Sequence, residues 1–236
     1  MSNNNNNNKF STTFVWMAVL SCVCLTCSNI YVPRTWQVGN LPLQLTGGIV
    51  LFPISYIIND CLTEVYGYRK TRLVIWMGFT MSLLVSLSSL LVCSLPAPLS
   101  PESVPVAEAF STVFTLVPRT MIASLVAFFV GSTVNSWIMS RMKLASKGKG
   151  FGWRAVVSSL GGEFVDSLIF FPFVFWGKMG ALDILGVMFT QVLAKTAYEV
   201  IILPVTGIIV RSLKQKEGID TFDNNISYNP FRLGDI

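Results

Sequence analysis

Six long apolar runs, separated by short polar connections, dominate the pattern of hydrophobic and polar positions along the chain. They cover approximately residues 10–32, 44–66, 72–95, 118–140, 154–176 and 184–210. Each run has the ~20 residues that a helix needs to cross the hydrocarbon core of a bilayer. Because backbone groups in lipid must be hydrogen-bonded within each segment, and the runs are continuous instead of alternating, the pattern predicts helices and not a β-barrel. The predicted fold class is therefore an all-α polytopic membrane protein with six transmembrane helices.

The remaining segments divide the chain into three parts. Residues 1–9, with six consecutive asparagines, are predicted to form a disordered tail because they cannot bury apolar surface. Residues 10–211 form the predicted six-helix transmembrane domain, and residues 212–236 form a polar tail. Residues 96–117, which contain four prolines, are the longest predicted connection between two spans.

Composition excludes several classes of protein. Hydrophobic residues make up 52% of the chain and charged residues 12%, against about 25% charged residues in an average soluble protein. A soluble enzyme, a nucleic-acid-binding domain or a disordered protein is hard to reconcile with so few charges. The net charge of +5 does not indicate nucleic-acid binding, because the basic residues flank the apolar runs instead of forming one surface stripe.

The Lys and Arg residues are distributed unevenly between the two sides of the predicted membrane domain. With the N-terminus placed inside, thirteen of the 17 basic residues fall on the inner side, and Arg34, Arg119 and Lys178 fall on the outer side. Cytoplasmic connections of membrane proteins carry such an excess of positive charge. The sequence therefore predicts a multi-pass protein with both termini in the cytoplasm. The inner residues are Lys9, Arg69, Lys70, Arg72, Arg141, Lys143, Lys147, Lys149, Arg154, Arg211, Lys214, Lys216 and Arg232.

No metal site and no cofactor are predicted. The chain contains no histidine, which removes the commonest metal ligand and the commonest general acid–base group. Cys22, Cys24 and Cys27 cluster in the first span, but their spacing on a helix would not turn all three toward one point. Small apolar packing residues are therefore a better interpretation than a metal or iron–sulfur site.

Ionisable residues occur inside three of the predicted spans. Their spacing of three or four residues places the two members of each pair on one face of a helix. A charge at this depth costs about 2.5–3.5 kcal/mol even on insertion scales, and such residues usually face a bundle interior or an aqueous cavity. The pairs are Asp60 and Glu64 in the second span, Glu163 and Asp166 in the fifth, and Lys195 and Glu199 in the sixth.

Structural interpretations of these residues stay open beside the functional one. Lys195 and Glu199 are spaced for an ion pair within one helix, and Glu64 could lie solvated at the membrane interface. Asp166 lies midway along its span, with no Lys or Arg nearby in its own helix. Asp166 is therefore the strongest candidate for a functional carboxylate.

Prolines interrupt the same three spans. Pro53, Pro172 and Pro204 each remove a backbone N–H and are predicted to loosen the preceding turn. The carbonyl groups freed in this way can contact a ligand, water or a neighbouring helix. A simple packing kink explains any one of them equally well.

Enzymatic motifs are missing from the sequence. It has no H-E-x-x-H, G-x-x-x-x-G-K-[ST] or G-x-S-x-G pattern. Gly148-Lys149-Gly150 lacks the upstream glycine and the following hydroxyl of a P-loop, so no ATP-hydrolysing site is predicted. Asp60 and Asp166 resemble the pair of an intramembrane aspartyl protease only in type, because the Gly-Leu-Gly-Asp motif of those enzymes is missing. The sequence predicts a protein that is not an enzyme.

Three sequence blocks carry a resemblance to a known family. The first is residues 52–69, FPISYIINDCLTEVYGYR, and the others are residues 118–128, PRTMIASLVAF, and residues 166–177, DSLIFFPFVFWG. In order and spacing the chain resembles the bacterial queuosine-precursor transporter family, also called the vitamin uptake transporter family, over about residues 12–212. The first block is long and specific.

The resemblance implies a six-helix importer of the bacterial inner membrane, with a fold similar to the substrate-binding (S) components of energy-coupling-factor transporters. The implied substrates are 7-deazaguanines used for tRNA queuosine: queuine, and the precursors with a cyano or an aminomethyl side chain. The implied partners are this small molecule and the lipid bilayer, without nucleic acid, and an ATPase coupling module is allowed but not required. The alternative is an S component for another vitamin, which would need such a module.

The resemblance also implies a site that combines acids, aromatic rings and a few polar groups. A carboxylate of Asp60, Glu64 or Asp166 would accept both N–H groups of the guanine-like edge, and Arg119 would donate to the ring carbonyl. A second carboxylate would balance the amine cation of queuine or of the aminomethyl precursor. The predicted substrate-binding residues are Asp60, Glu64, Arg119, Asn135, Glu163, Asp166 and Lys195.

Two of these positions depart from the family pattern. The resemblance implies Gln in many relatives where this chain has Glu163, and Asp where it has Asn135. Asn135 leaves a polar group without a charge in the fourth helix. Both departures fit a different substrate preference, so the sequence leaves open which 7-deazaguanine is bound.

Overall fold

The structure is a computed structural model that describes residues 10–31, 34–37, 44–96, 100–115, 118–177 and 180–234. Six helical segments in this part of the chain are long and apolar enough to cross a membrane. The prediction of an all-α polytopic membrane protein is confirmed. The helices are α1 (Thr12–Tyr31), α2 (Phe52–Tyr66), α3 (Tyr68–Cys93), α4 (Val104–Thr115), α5 (Pro118–Ala145), α6 (Phe151–Phe175) and α7 (Ala181–Glu217), of which α4 is too short to span.

Three short elements lie between α1 and α2 in the described part of the chain. Strands β1 (Thr35–Gln37) and β2 (Gln44–Thr46) pair in antiparallel fashion, with Thr35 opposite Thr46. A 3₁₀ turn, Gly47–Val50, follows and lengthens the α2 segment to 20 residues. The predicted disordered tail, residues 1–9, lies outside the described residues.

A helix that was not predicted lies in the longest connection. α4 follows a 3₁₀ turn at Pro101–Ser103, and most of its described side chains are exposed. The prolines of residues 96–117 indicate a break in helical structure. Pro105, however, lies in the first turn of α4, where a backbone N–H has no intrahelical partner to lose.

Pro53 starts a helix instead of interrupting one. α2 begins at Phe52, so Pro53 lies in its first turn, where the missing N–H costs nothing. The prediction that Pro53 loosens a span is therefore wrong, because the apolar run before it forms a strand and a 3₁₀ turn. Pro172 and Pro204 do lie inside α6 and α7, as predicted.

α2 is the central helix of the bundle. It contacts α1, α3, α5 and α7, and its residues 55–66 are all buried. Leu62 of α2 and Phe14 of α1 belong to the same apolar core. α7, in contrast, exposes large apolar side chains such as Leu182 and Ile201, as expected of a helix that faces lipid.

α5 and α6 cross closely at two glycines. A Cβ atom at Gly131 would lie 2.9 Å from the Gly162 carbonyl oxygen and 2.9 Å from Cβ of Asp166. A Cβ atom at Gly162 would lie 2.8 Å from the Gly131 carbonyl oxygen. Such small residues let two membrane helices bring their backbones together. The crossing therefore fixes Asp166 against α5.

The chain folds back on itself at the end of the bundle where α1 begins and α7 ends. Gly67, with φ of 84°, alone joins α2 to α3, and a Cβ atom there would lie 2.7 Å from Oδ1 of Asp223. α7 continues beyond its predicted span, and residues 218–234 contact the ends of α2, α3 and α5. Asp223 Oδ2 accepts hydrogen bonds from the Tyr68 N–H at 2.9 Å and from the Ser140 hydroxyl at 2.5 Å.

Candidate functional site

Buried charges form two clusters, one helical turn apart along α2. Asp60 belongs to a cluster inside the bundle, and Glu64 belongs to a cluster nearer the end where α1 begins and α7 ends. Both side chains are at most 1% exposed. Because α2 is central, each carboxylate meets side chains from several other helices.

The cluster around Glu64, which we name the end cluster, is fully paired. Arg154 donates to Glu64 from both terminal guanidinium nitrogens, at 2.5 Å from Nη1 to Oε2 and 3.0 Å from Nη2 to Oε1. Lys214 Nζ lies 2.6 Å from Oε1, and Lys143 donates to the main-chain carbonyl of Glu64. Glu64 thereby joins α5, α6 and α7 to α2 through charge-assisted hydrogen bonds. The members of the end cluster are Glu64, Lys143, Arg154, Lys214 and Asp220.

Asp220 completes the end cluster from the segment that follows α7. Its Oδ1 lies 2.5 Å from Lys143 Nζ and 3.0 Å from Lys214 Nζ. Partial burial raises the pKa of this carboxyl, but hydrogen bonds from Lys143 and Lys214 outweigh burial and hold the pKa below its usual range. Three cations face two carboxylates, so the acids of the end cluster have their counter-charges within the protein.

The second group, which we name the central cluster, joins α2, α6 and α7. Its ion pair links Lys195 of α7 to Asp166 of α6, with 3.2 Å between Nζ and Oδ2. Lys195 Nζ also lies 4.4 Å from the centre of the Phe52 ring. The Phe52 ring in turn lies 5.3 Å from that of Tyr56, centre to centre. The ionisable members of the central cluster are Asp60, Glu163, Asp166, Lys195 and Glu199.

Two carboxylates of the central cluster accept hydrogen bonds from neutral groups. Asp60 Oδ1 accepts from Asn135 Nδ2 at 2.8 Å, and Oδ2 accepts from the Ser159 hydroxyl at 3.2 Å. Glu163 Oε2 accepts from the Thr196 hydroxyl at 3.3 Å. These bonds orient the carboxylates but do not neutralise them.

Glu199 is the least paired member of the central cluster. Its side chain is 4% exposed, and its carboxylate lies beside the Ser159 hydroxyl and the Asp60 carboxylate without a well-formed hydrogen bond to either. The carboxylate lies close enough to Asp60 and Glu163 to interact electrostatically with both. Buried polar groups are seldom left unpaired, and an unpaired carboxylate among other carboxylates is costly.

Further buried polar atoms on the surrounding helices lack a well-formed hydrogen bond within the described part of the chain, although the Tyr56 and Ser132 hydroxyls lie close to each other. Tyr56 reaches the α5–α6 crossing, because its Oη would lie 3.0 Å from a Cβ atom at Gly131. Together these atoms offer both donors and acceptors to a polar ligand. They are Tyr56 Oη, Ser132 Oγ, Asn135 Oδ1 and Ser167 Oγ.

The structure brings most of the predicted site residues together, and it places two elsewhere. Glu64 lies in the end cluster. Arg119 lies in the first turn of α5, twelve residues before Gly131, which corresponds to about 18 Å along the helix axis. The Arg119 side chain is outside the described part of the structure, and the substrate-binding roles of both residues stay predictions. The residues in or beside the central cluster are Asp60, Asn135, Glu163, Asp166 and Lys195.

Glu199 and Tyr56 are candidate site residues that were not predicted. The sequence leaves open an ion pair between Lys195 and Glu199 within α7, but Lys195 pairs with Asp166 across the α6–α7 contact. The available signal was the four-residue spacing of Lys195 and Glu199, which turns both toward the same side. Which carboxylate pairs with Lys195 depends on how α6 and α7 pack, and the spacing of residues within α7 carries no information about that packing.

The cysteines belong to neither cluster. Cys22 and Cys24 are buried in α1, and Cys27 is half-buried. Among the residues that the structure describes, no group of three or more Cys, Asp or Glu side chains is arranged to hold a metal ion. The candidate site is therefore built from carboxylates, amides, hydroxyls, one ammonium group and aromatic rings.

The part of the chain that matches known proteins includes every residue of the central cluster. Residues 46–209 match the family described as "Putative vitamin uptake transporter". A curated protein of Bacillus subtilis (strain 168), "Probable queuosine precursor transporter", is 28% identical to the chain over 193 residues, which make up 81% of this chain and 80% of that protein. No solved structure matches the chain.

Proposed function

Because the chain belongs to the vitamin uptake transporter family, we propose that it imports queuosine precursors, the 7-deazaguanines used for tRNA queuosine, across the bacterial inner membrane. The family consists of transporters and is not an enzyme family. The name of the Bacillus subtilis relative supports this substrate class. Within the chain itself, the central cluster carries the proposal, because it collects hydrogen-bonding groups inside the membrane-spanning bundle.

Asp166 and Lys195 match the edge of a guanine-like ring. That edge presents an exocyclic NH₂, a ring N–H and a ring carbonyl side by side. A carboxylate can accept from both N–H groups, as it does from arginine, and an adjacent ammonium group can donate to the carbonyl. Asp166 and Lys195 hold these two groups 3.2 Å apart. In this proposal Lys195 supplies the donor for which the sequence suggested Arg119.

Aromatic side chains beside this pair support recognition of a flat ring. Phe52 lies against Lys195, and Tyr56 lies against Phe52. Aromatic rings bury a large area and favour offset or edge-to-face contacts with other rings. The buried Tyr56 hydroxyl, which lies close to the Ser132 hydroxyl, adds a hydrogen-bonding group to the same wall.

The charge distribution supports an orientation with both termini in the cytoplasm. The basic residues predicted for the inner side include all three cations of the end cluster, Lys143, Arg154 and Lys214. The end cluster lies where α1 begins and α7 ends. An excess of Lys and Arg at that end is typical of the cytoplasmic side of a membrane protein.

Uptake by a queuosine-deficient host tests the proposed function. The host lacks its own synthesis and import of 7-deazaguanines, and it lacks any energy-coupling-factor ATPase. We expect the chain to take up at least one of radiolabelled queuine, the cyano precursor and the aminomethyl precursor, and to restore queuosine in tRNA. If none of the three enters, with or without an added ATPase module, although the protein is present in the membrane, the proposal is wrong. Uptake only after an ATPase module is added would show that the chain imports this substrate class as an S component.

A further inference from the structure

We propose that Asp60, Asn135 and Glu199 bind a protonated primary amine of the substrate, so that the site selects a cationic 7-deazaguanine over a neutral one. This inference rests on the proposed function, because it assigns the part of the substrate that Asp166 and Lys195 leave free. It concerns the face of the central cluster between α2, α5 and α7.

The charge of the central cluster favours a positively charged ligand. The positive charge of Lys195 is compensated by the carboxylate of Asp166, with which it forms an ion pair. Asp60, Glu163 and Glu199 have no Lys or Arg within ion-pair distance among the residues that the structure describes. Three carboxylates inside a membrane-spanning bundle are expensive unless a positive charge joins them. A cationic ligand supplies that positive charge. Protonation of a carboxylate would also supply it, but then a neutral ligand would bind as well as a cationic one. Comparing the affinities of a cationic and a neutral ligand separates these two cases.

The unpaired oxygens around Asp60 provide a second observation, independent of charge. Oδ1 of Asn135 is buried without a hydrogen-bond partner among the described residues, and the buried Glu199 carboxylate lies beside Asp60 and Ser159 with neither oxygen in a well-formed hydrogen bond. Asn135 uses its Nδ2 to hold Asp60 at 2.8 Å, so its remaining oxygen lies beside that same carboxylate. A primary ammonium group has three donors and no acceptor. Asp60, Asn135 and Glu199 offer one acceptor group each, from three different helices.

The two halves of the proposed site are one helical turn apart. Lys195 and Glu199 are four residues apart on α7, which is about 6 Å along the axis, and they face the same side of the helix. A 7-deazaguanine can bridge this distance, with its guanine edge at Asp166 and Lys195 and its side chain at Glu199. A cyano side chain carries no charge and no hydrogen to donate, so it leaves these acceptors unpaired.

Calorimetric titration of the purified protein with two ligands tests the assignment. 7-Aminomethyl-7-deazaguanine and 7-cyano-7-deazaguanine share the guanine edge and differ in side-chain charge. We expect the native protein to bind the aminomethyl compound at least about tenfold more tightly, because hydrogen bonds between charged groups contribute at least that much. Glu199→Gln is expected to lower this affinity ratio to below about threefold, because it removes one of the compensating charges. Glu108→Gln, the same change at an exposed carboxylate of α4, should leave the ratio unchanged.

A second variant tests the same site in the opposite direction. Asn135→Asp adds a carboxylate beside Asp60 and is expected to raise the affinity ratio above that of the native protein, so the assignment does not depend on one variant folding. Equal affinities of the native protein for the two ligands, or a ratio that neither variant at Glu199 or Asn135 changes, would overturn the amine site and leave the proposed function standing. Failure of the native protein to bind either ligand, or queuine titrated in the same way, would overturn both.

Discussion

The end cluster and the central cluster contain similar side chains, one turn apart on α2, but they differ in how those side chains are paired. Arg154 and Lys214 surround the Glu64 carboxylate at 2.5–3.0 Å. In the central cluster the described structure pairs only Asp166 with a cation, Lys195. The comparison shows that a buried charge in a membrane helix can have either of two roles. A charge that the protein neutralises holds helices together, and a charge that it leaves unpaired is available to a ligand.

The two clusters are also expected to contribute differently to stability. An intact buried ion pair contributes little net stability, but removing one partner leaves an uncompensated charge and is strongly destabilising. Unpaired buried polar groups already cost stability in the ligand-free protein. Such groups persist where function requires them, so their removal can stabilise a protein while it impairs activity. Substitution of the ion-paired Glu64 and substitution of Glu199, which has no cation beside it among the described residues, should therefore change stability in opposite directions.

Substitution of Glu64 is expected to have the largest effect on stability. Glu64→Gln leaves the guanidinium of Arg154 and the ammonium of Lys214 without their shared carboxylate. Breaking a buried ion pair in this way costs about 3–5 kcal/mol. We expect a much lower Tm in detergent and a reduced amount of protein in the membrane, measured beside Glu108→Gln as the control. A native Tm combined with lost ligand binding would place Glu64 in the binding site and remove the distinction between the clusters.

A methyl group at the α5–α6 crossing should have the next largest effect. Gly131→Ala introduces a Cβ atom 2.9 Å from the Gly162 carbonyl oxygen, so the helices must separate and the position of Asp166 must shift. Overpacking of this kind costs about 1–3 kcal/mol. The matched control is Gly186→Ala on α7, where a Cβ atom meets nothing within 4 Å and where alanine is the better helix former by about 1 kcal/mol. Thermal unfolding should show a lower Tm for Gly131→Ala only, and equal Tm values would contradict the close crossing.

Substitution of Glu199 should have the smallest effect on stability, with the opposite sign. Glu199→Gln removes a buried carboxylate that lies against the Asp60 carboxylate and has no cation within ion-pair distance among the described residues. The Tm of the ligand-free variant is expected to equal or exceed that of the native protein, although its preference for the aminomethyl ligand falls. A Tm several degrees below the native value would show that Glu199 serves packing, and the central cluster would then resemble the end cluster.

Much of the fold could be predicted from the pattern of apolar runs. That pattern depends on local sequence alone, because each membrane helix satisfies its own backbone. The predictions that failed concern prolines, because the same residue can either interrupt a helix or occupy its first turn. Pro53 can bend a helix or begin one, and the prolines before α4 can break helical structure or occupy its first turn.

The candidate site was less predictable, because its chemistry depends on partners from distant parts of the chain. Asp60 and Glu64 share one helix face, and the sequence offers no local reason to separate them. Their difference arises from Arg154 and Lys214, which approach Glu64 from α6 and α7. The unpaired state of Glu199 likewise depends on Lys195 turning toward α6. Residue type and spacing identified the candidates, and tertiary packing divided them into two clusters.

Uptake by Asp166→Asn at limiting substrate, normalised to the amount of protein in the membrane, tests most directly that the central cluster binds the substrate. Asparagine turns an NH₂ toward the NH₂ of the guanine edge, and such a mismatch costs about 1–3 kcal/mol, or more with a charged partner. That corresponds to roughly a tenfold to hundredfold loss of affinity. We expect uptake to be lost while the protein stays in the membrane, and we expect a deazahypoxanthine analogue without the NH₂ group to compete poorly with the substrate of the native protein. Normal uptake by Asp166→Asn, or equal competition by the analogue, would contradict the account.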